Sequence, residues 1–135
     1  MNLFVDTSVW SLALRRDTAQ SSAEVAWLSK QLTGGTTIFT TGLVLQELLQ
    51  GFRGPKQRDL IVERFTNLPL IVPDLDDHIE AAALRNRCRQ KGIQVGTIDT
   101  LLAWLCIRHE LSMLTTDQDF FKIASLLPLD VVRVK

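Results

Sequence analysis

Four acids stand where the surrounding pattern is apolar: Asp6, Glu47, Asp99 and Asp117. Asp6 closes an apolar stretch at 2–6, and Asp117 lies just past another at 112–115. Glu47 shares a helical face with Leu43, Val44, Leu48 and Gly51, and Asp99 one with Val95, Leu102, Ala103, Cys106 and Ile107, so both carboxylates are expected on buried faces. An isolated buried carboxylate costs several kcal/mol unless it is paired, neutralised or bound to a metal. No Lys or Arg falls on those faces, which points to a divalent cation. Oxygen ligands suit Mg²⁺ or Mn²⁺, and the two histidines lack zinc-ligand spacing. Carboxylate-held Mg²⁺ serves phosphoryl chemistry: it lowers the pKa of a water, polarises a phosphate oxygen and steadies the leaving oxygen.

A plainer role competes with this one. Asp6, Asp117 and Asp119 are also of the residue type that caps helices, and Asp99 would cap a helix beginning one turn late. Thr115 and Thr116 suit either account, as strand residues or as hydroxyls at a site.

The elements that must position these acids alternate. Apolar or β-branched runs at 2–6, 36–40, 70–72, 112–115 and 129–134 read as strands. Between them fall a helical turn at Ser8, Trp10 and Leu12, a helix capped by Ser21 or Ser22 and stopped by Gly34 and Gly35, and another ending at Gly51. Further helices run from Pro55 to about Asn67, from Asp74, Asp76 or Asp77 to Gly92, from Thr97 to His109, and from about Asp119. Strands apolar on both faces belong to a parallel sheet covered on both sides. The predicted fold is a three-layer α/β/α sandwich with a mainly parallel five-stranded sheet, one domain over residues 1–135. In such sheets ligands bind beyond the carboxyl ends of the strands where strand order reverses, and Asp6 and Asp117 both sit at such ends.

Composition narrows the function. Fifteen basic residues cancel fifteen acidic ones, which argues against an unspecific nucleic-acid footprint over the whole surface. Arg15, Arg16, Arg53, Lys56 and Arg58 gather near helix ends, and of these Arg15, Arg53 and Lys56 are the candidates for phosphate contact; Arg85, Arg87, Arg89 and Lys91 crowd one helix as a solvated face. No apolar run is long enough to cross a bilayer, and the start lacks a signal-peptide pattern, so a cytoplasmic protein without membrane attachment is expected. Cys88 and Cys106 read as free, packed thiols, and Trp10, Trp27, Phe52 and Trp104 as core or interface residues rather than base-stacking platforms.

The stretches FVDTSVW, GLVLQELLQG, GTIDTLLAWLC and LTTDQDF, in this order, resemble the PIN-domain ribonucleases, and more narrowly the VapC-type toxins of bacterial toxin–antitoxin pairs, over essentially the whole chain. The resemblance implies a Mg²⁺- or Mn²⁺-dependent endoribonuclease whose acidic quartet maps onto Asp6, Glu47, Asp99 and Asp117, with Ser8 and Thr115 as supporting hydroxyls and Asp119 as an extra acid. It also implies an RNA substrate, a homodimer, and a cognate VapB-type antitoxin whose C-terminal segment lies in a groove near the site. Trp104 stands where the family usually has a small residue, so local packing or the dimer face is expected to differ there. The mechanism expected is in-line hydrolysis of an RNA phosphodiester by metal-activated water, leaving a 5′-phosphate and a 3′-hydroxyl. The rival readings are a PIN nuclease of RNA processing without an antitoxin, a Mg²⁺-binding receiver-like signalling domain, and a module that binds RNA without cutting it. The receiver-like reading wants a Lys facing the acids after a late strand, and Lys122 falls on the following helix instead.

Overall fold

The structure, a computed structural model, describes residues 1–15 and 22–134. Arg16 and Ser21, named above as a basic and a capping candidate, lie outside the described residues. The chain runs β1 (Asn2–Val5), α1 (Thr7–Leu14), α2 (Ala23–Thr33), β2 (Thr37–Thr41), α3 (Gly42–Gly51), α4 (Pro55–Phe65), β3 (Leu70–Ile71), α5 (Leu75–Gln90), α6 (Thr97–Arg108), β4 (Ser112–Leu114), α7 (Gln118–Ala124) and β5 (Asp130–Val131).

Every strand pair is parallel, and the order across the sheet is β3-β2-β1-β4-β5. The chain therefore steps outward from β1 to β3, then crosses back to build the other half from β4 to β5. Right-handed crossovers put the helices of the first half on one face and those that follow β3 on the other. The packing agrees: α1 meets α2 and α3, and α3 meets α4, whereas α6 packs on α5 and α7. This is the expected three-layer sandwich with a five-stranded parallel sheet.

Leu3, Phe4 and Val5 of β1 and Met113 and Leu114 of β4 have no exposed surface, as central strands covered on both sides require. Ser22 caps α2 by accepting from the Val25 N–H, and Gly35, at φ 81°, turns the chain from that helix into β2. The last strand is shorter than its sequence suggests. Ser112 and Met113 take Asp130 and Val131 as partners, one further bond joins the Val132 N–H to the Met113 carbonyl, and the rest of the 129–134 run outreaches its three-residue neighbour.

Trp104 has a definite packing role in this chain. Its indole N–H donates to Asp77 Oδ1 at 2.9 Å, and Arg108 Nη1 meets both Asp77 oxygens at 2.6 and 2.7 Å. Asp77 is also one half of a capping box with Asp74 at the start of α5. The large side chain on α6 thus locks that helix to α5. Burial alone would push the Asp77 carboxyl up, but the backbone N–H of Asp74, the Arg108 guanidinium and the Trp104 indole outweigh it and hold it at about 2.

Candidate active site and metal centre

β1 and β4 are neighbours at the point where strand order reverses, so their carboxyl ends open into one crevice. Asp6 ends β1 and caps α1, its side chain accepting from the Ser8 N–H. Asp117 follows β4 and caps α7, accepting from the Asp119 N–H at 2.9 Å. Capping and site-building are therefore not rivals here: one carboxylate oxygen satisfies a helix start and the side chain still stands in the crevice.

Asp6 is 6% exposed, and its donors converge on one oxygen. Ser8 Oγ donates to Oδ2 at 2.8 Å and Thr115 Oγ1 does so at 2.9 Å. Each hydroxyl in turn accepts a backbone N–H, Ser8 from Thr116 at 3.1 Å and Thr115 from Asp117 at 3.0 Å. Those amides fix the hydroxyl orientation, so both O–H protons point to Asp6. Among the described residues Oδ1 has no such donor, and it is the oxygen left for a cation. The supporting roles expected of Ser8 and Thr115 thus have a definite geometry.

Asp99 lies in the first turn of α6, three residues past the cap Gly96, and is no cap itself. Leu102, Ala103 and Cys106 continue its stripe into the core, while Asp99, at the crevice end, is half-buried. Its carboxyl is pushed up to about 6, first by burial and then by the charges of Asp117, Asp6, Asp119 and Glu47. The same four acids that crowd it are those the sequence separates by up to 113 positions, between Asp6 and Asp119. Cys106, two turns along that stripe from Asp99, is buried and its thiol is raised by burial and by the Asp6 charge. Cys88 and Cys106 are both free and buried, as expected.

Glu47 requires a correction. It is exposed rather than buried, because Val44 and Leu48 take the inward positions of α3 and leave residue 47 on the rim of the stripe. It nevertheless belongs to the crevice: Thr7 Oγ1 donates to Oε1 at 3.2 Å, and its carboxyl is raised by what burial it has, lowered by that hydrogen bond and raised again by Asp6. Asp119 is more central than an auxiliary acid. Oxygens of Asp99, Asp117 and Asp119 all lie within 4.8 Å of one another. Ligands on opposite sides of one Mg²⁺ are separated by roughly 4.2 Å, so this all-oxygen set fits a small, hard cation held partly through water. Among the described residues the acids have one cationic partner, Lys122, 3.7 Å from Asp119 and itself largely exposed.

Arg15 caps the far end of α1 and Arg53 lies past the end of α3, each a helix length from the strand ends; Lys56 is in the first turn of α4. All three are exposed, and the structure does not bring them to the acids. Thr7, which orients Glu47, is flagged in the sequence only by its place beside Asp6. Arg85 is a correction: expected on a solvated face, it is half-buried, because its Nε donates to the Val95 carbonyl ahead of α6.

Comparison with known proteins supplies the lineage. The family model described as PIN domain matches residues 3–126. The chain belongs to the PIN-domain family. A search of the curated proteins returned no match. Solved structures share the PIN-domain fold over nearly the whole chain. VapBC2 of Rickettsia felis, bound to a promoter DNA fragment, superposes with a TM-score of 0.77 at 21% identity, covering 100% of both chains. DNA-bound VapBC of Salmonella typhimurium gives 0.75 at 18% identity over 98% of this chain and 97% of that one. VapC20 of Mycobacterium tuberculosis, a toxin that cleaves the sarcin–ricin loop, gives 0.69 at 19% identity over 93% and 95%. Among the described residues no helix of this PIN domain is long and apolar enough to cross a membrane.

Proposed function

We propose that this PIN domain is a Mg²⁺- or Mn²⁺-dependent endoribonuclease and the toxin of a type II, VapBC-type toxin–antitoxin pair, acting in the cytoplasm. The observation that carries the reading is the meeting of Asp99, Asp117 and Asp119 oxygens within 4.8 Å, beside Asp6. When bound, the cation supplies Lewis-acid polarisation of the phosphate and acidification of water. Asp99, Asp117 and Asp119 offer it oxygens, and Asp6 offers Oδ1 while Ser8 and Thr115 hold Oδ2. Glu47, oriented by Thr7 on the crevice rim, stands where it can accept a proton from the attacking water. Both histidines are exposed, and His109 stands at the far end of α6 from Asp99, so the ribose 2′-hydroxyl has no imidazole pair to activate it. The products are a 5′-phosphate and a 3′-hydroxyl. Arg15, Arg53 and Lys56 serve as outlying phosphate contacts.

Two apolar surfaces suit the partners of such a toxin. A groove of about 480 Å³, with Trp10, Leu14, Val25, Leu28 and Leu32 along its walls and Arg64 at its edge, suits the C-terminal segment of an antitoxin. A second groove of about 490 Å³, with Leu43, Ala81, Ile98 and Leu101 in its walls, lies between α5 and α6 and suits a second copy of the chain; Val72, Leu75 and Ile79 add exposed apolar surface on and just before α5. Several solved structures of this fold are VapBC or toxin–antitoxin complexes by description, which supports an antitoxin as partner.

The test uses the purified chain free of partners, structured RNA, and Mg²⁺ or a chelator. Cleavage is expected with Mg²⁺ alone and is expected to vanish in Asp6→Asn and Asp99→Asn. Cutting that survives either substitution at the wild-type rate removes the reading.

A further inference from the structure

A third cavity, about 390 Å³, adjoins the acids and shares Thr115 with them as a wall. It lies in the size range of small-ligand sites. Its lining is mixed: Glu24 from the first turn of α2, Thr116 and Gln118 from the corner between β4 and α7, Phe121 from α7, and Arg133 from the tail beyond β5. The Arg133 guanidinium lies 5.3 Å from the centroid of the Phe121 ring. Among the described residues neither Glu24 nor Arg133 takes part in an ion pair. The cavity therefore presents an acceptor carboxylate, an amide, a hydroxyl and a cation around an aromatic wall, with Thr115, one of the two residues whose hydroxyls hold Asp6, in its lining.

A phosphate is a poor occupant, because Glu24 would repel it. A nucleobase uses every group present. Single-stranded RNA is read by stacking splayed bases on aromatic or guanidinium planes and bonding their edges. Guanine alone offers two adjacent N–H donors on its Watson–Crick edge, which a carboxylate accepts as a fork. Adenine and cytosine place a ring acceptor beside their amino group, and uracil flanks its single N–H with two carbonyls. Gln118 and Arg133 can donate to the guanine O6 and N7 acceptors. We propose that this cavity holds one unpaired base of the RNA beside the cut phosphodiester and selects guanine through Glu24. This rests on the ribonuclease reading above for its substrate, and its test is arranged so that the two can fail separately.

Backbone amide signals of Thr116 and Gln118 are followed during titration with GMP, AMP, CMP and UMP. GMP is expected to bind about tenfold more tightly than the others, IMP to fall between, and Glu24→Gln to erase the difference, since one forked hydrogen bond to a charged group is worth about that factor. Equal responses to all four nucleotides, or an unchanged preference in Glu24→Gln, overturn the subsite. In parallel, cleavage of RNAs with guanine fixed or excluded at each position is measured: Arg133→Ala is expected to raise KM about tenfold with kcat close to wild type. A KM unmoved by Arg133→Ala overturns the subsite and leaves the nuclease intact. A wild-type chain that cuts no RNA overturns the nuclease reading, and the titration then decides the subsite alone.

Discussion

Thr115 Oγ1 donates to Asp6 Oδ2 at 2.9 Å across 109 residues, joining the ends of β1 and β4 through a side-chain hydrogen bond. The same oxygen accepts the Asp117 N–H, so a single buried hydroxyl fixes one acid and the backbone that carries another. Thr115→Val keeps the shape and removes both bonds. It is expected to cost about 1–3 kcal/mol in denaturant unfolding, the range for a buried polar group left unpaired, and to lower the cleavage rate. Thr115→Ser should retain most of both. Wild-type stability and rate in the valine variant would contradict the relay.

Asp99 is expected to link protonation to metal binding. Its carboxyl stands at about 6 in the folded chain against an ordinary 3.8, so the folded state holds this proton more tightly than the unfolded state does. The stabilising contribution is complete below pH 3.8 and is lost as pH rises through about 6. The metal-free protein should lose melting temperature across that window, and Mg²⁺ should restore it above the window far more than below. Asp99→Asn is expected to flatten the pH dependence and weaken the Mg²⁺ response. Thermal unfolding on both sides of the window, with Mg²⁺ or chelator, decides it; an asparagine variant that responds to Mg²⁺ like wild type contradicts the assignment.

Asp77 runs the opposite way. Held at about 2 and only 1% exposed, it favours the folded state at every pH above 3.8, and that contribution, on the order of 2 kcal/mol, fades as pH falls toward 2. Arg108→Ala leaves the buried Asp77 carboxylate without its cation and should lower stability. The double variant Asp77→Leu with Arg108→Leu removes both charges and should be more stable than Arg108→Ala. Urea midpoints for the three proteins check the order, and a double variant weaker than the single one would refute it.

How far these features can be read from sequence depends on the range of the interactions that set them. Strands buried on both faces betray themselves as unbroken apolar runs, as at Leu3, Phe4 and Val5, and helix starts at Asp74 and Ser22 show in the capping side chain. Asp6, Asp99 and Asp117 were legible because strand ends and an apolar helical stripe place them. The pattern around Glu47 places it on an apolar stripe but does not give its depth, since a stripe one residue wide does not tell its centre from its rim. The Trp104 and Arg108 clamp on Asp77 was invisible: its partners are 27 and 31 residues from that aspartate, and nothing local marks them as neighbours.

Arg85 acts on the site from behind. Its Nε donates to the Val95 carbonyl at 2.9 Å, immediately before Gly96, which starts α6 without a side-chain cap. The orientation of the first turn, and with it of Asp99, therefore depends on a guanidinium reaching over from α5. Arg85 is a positioning residue, and its loss should appear in metal affinity before it appears in folding. Arg85→Gln is expected to raise the Mg²⁺ concentration for half-maximal cleavage about tenfold, as loss of an outer hydrogen bond to a metal site does, with the maximal rate largely recovered at saturating Mg²⁺. Arg85→Lys, which keeps the charge but not the planar Nε donor, should behave like the glutamine variant rather than like wild type. A Mg²⁺ dependence unchanged in both variants would mean that the Val95 carbonyl does not set the aim of Asp99.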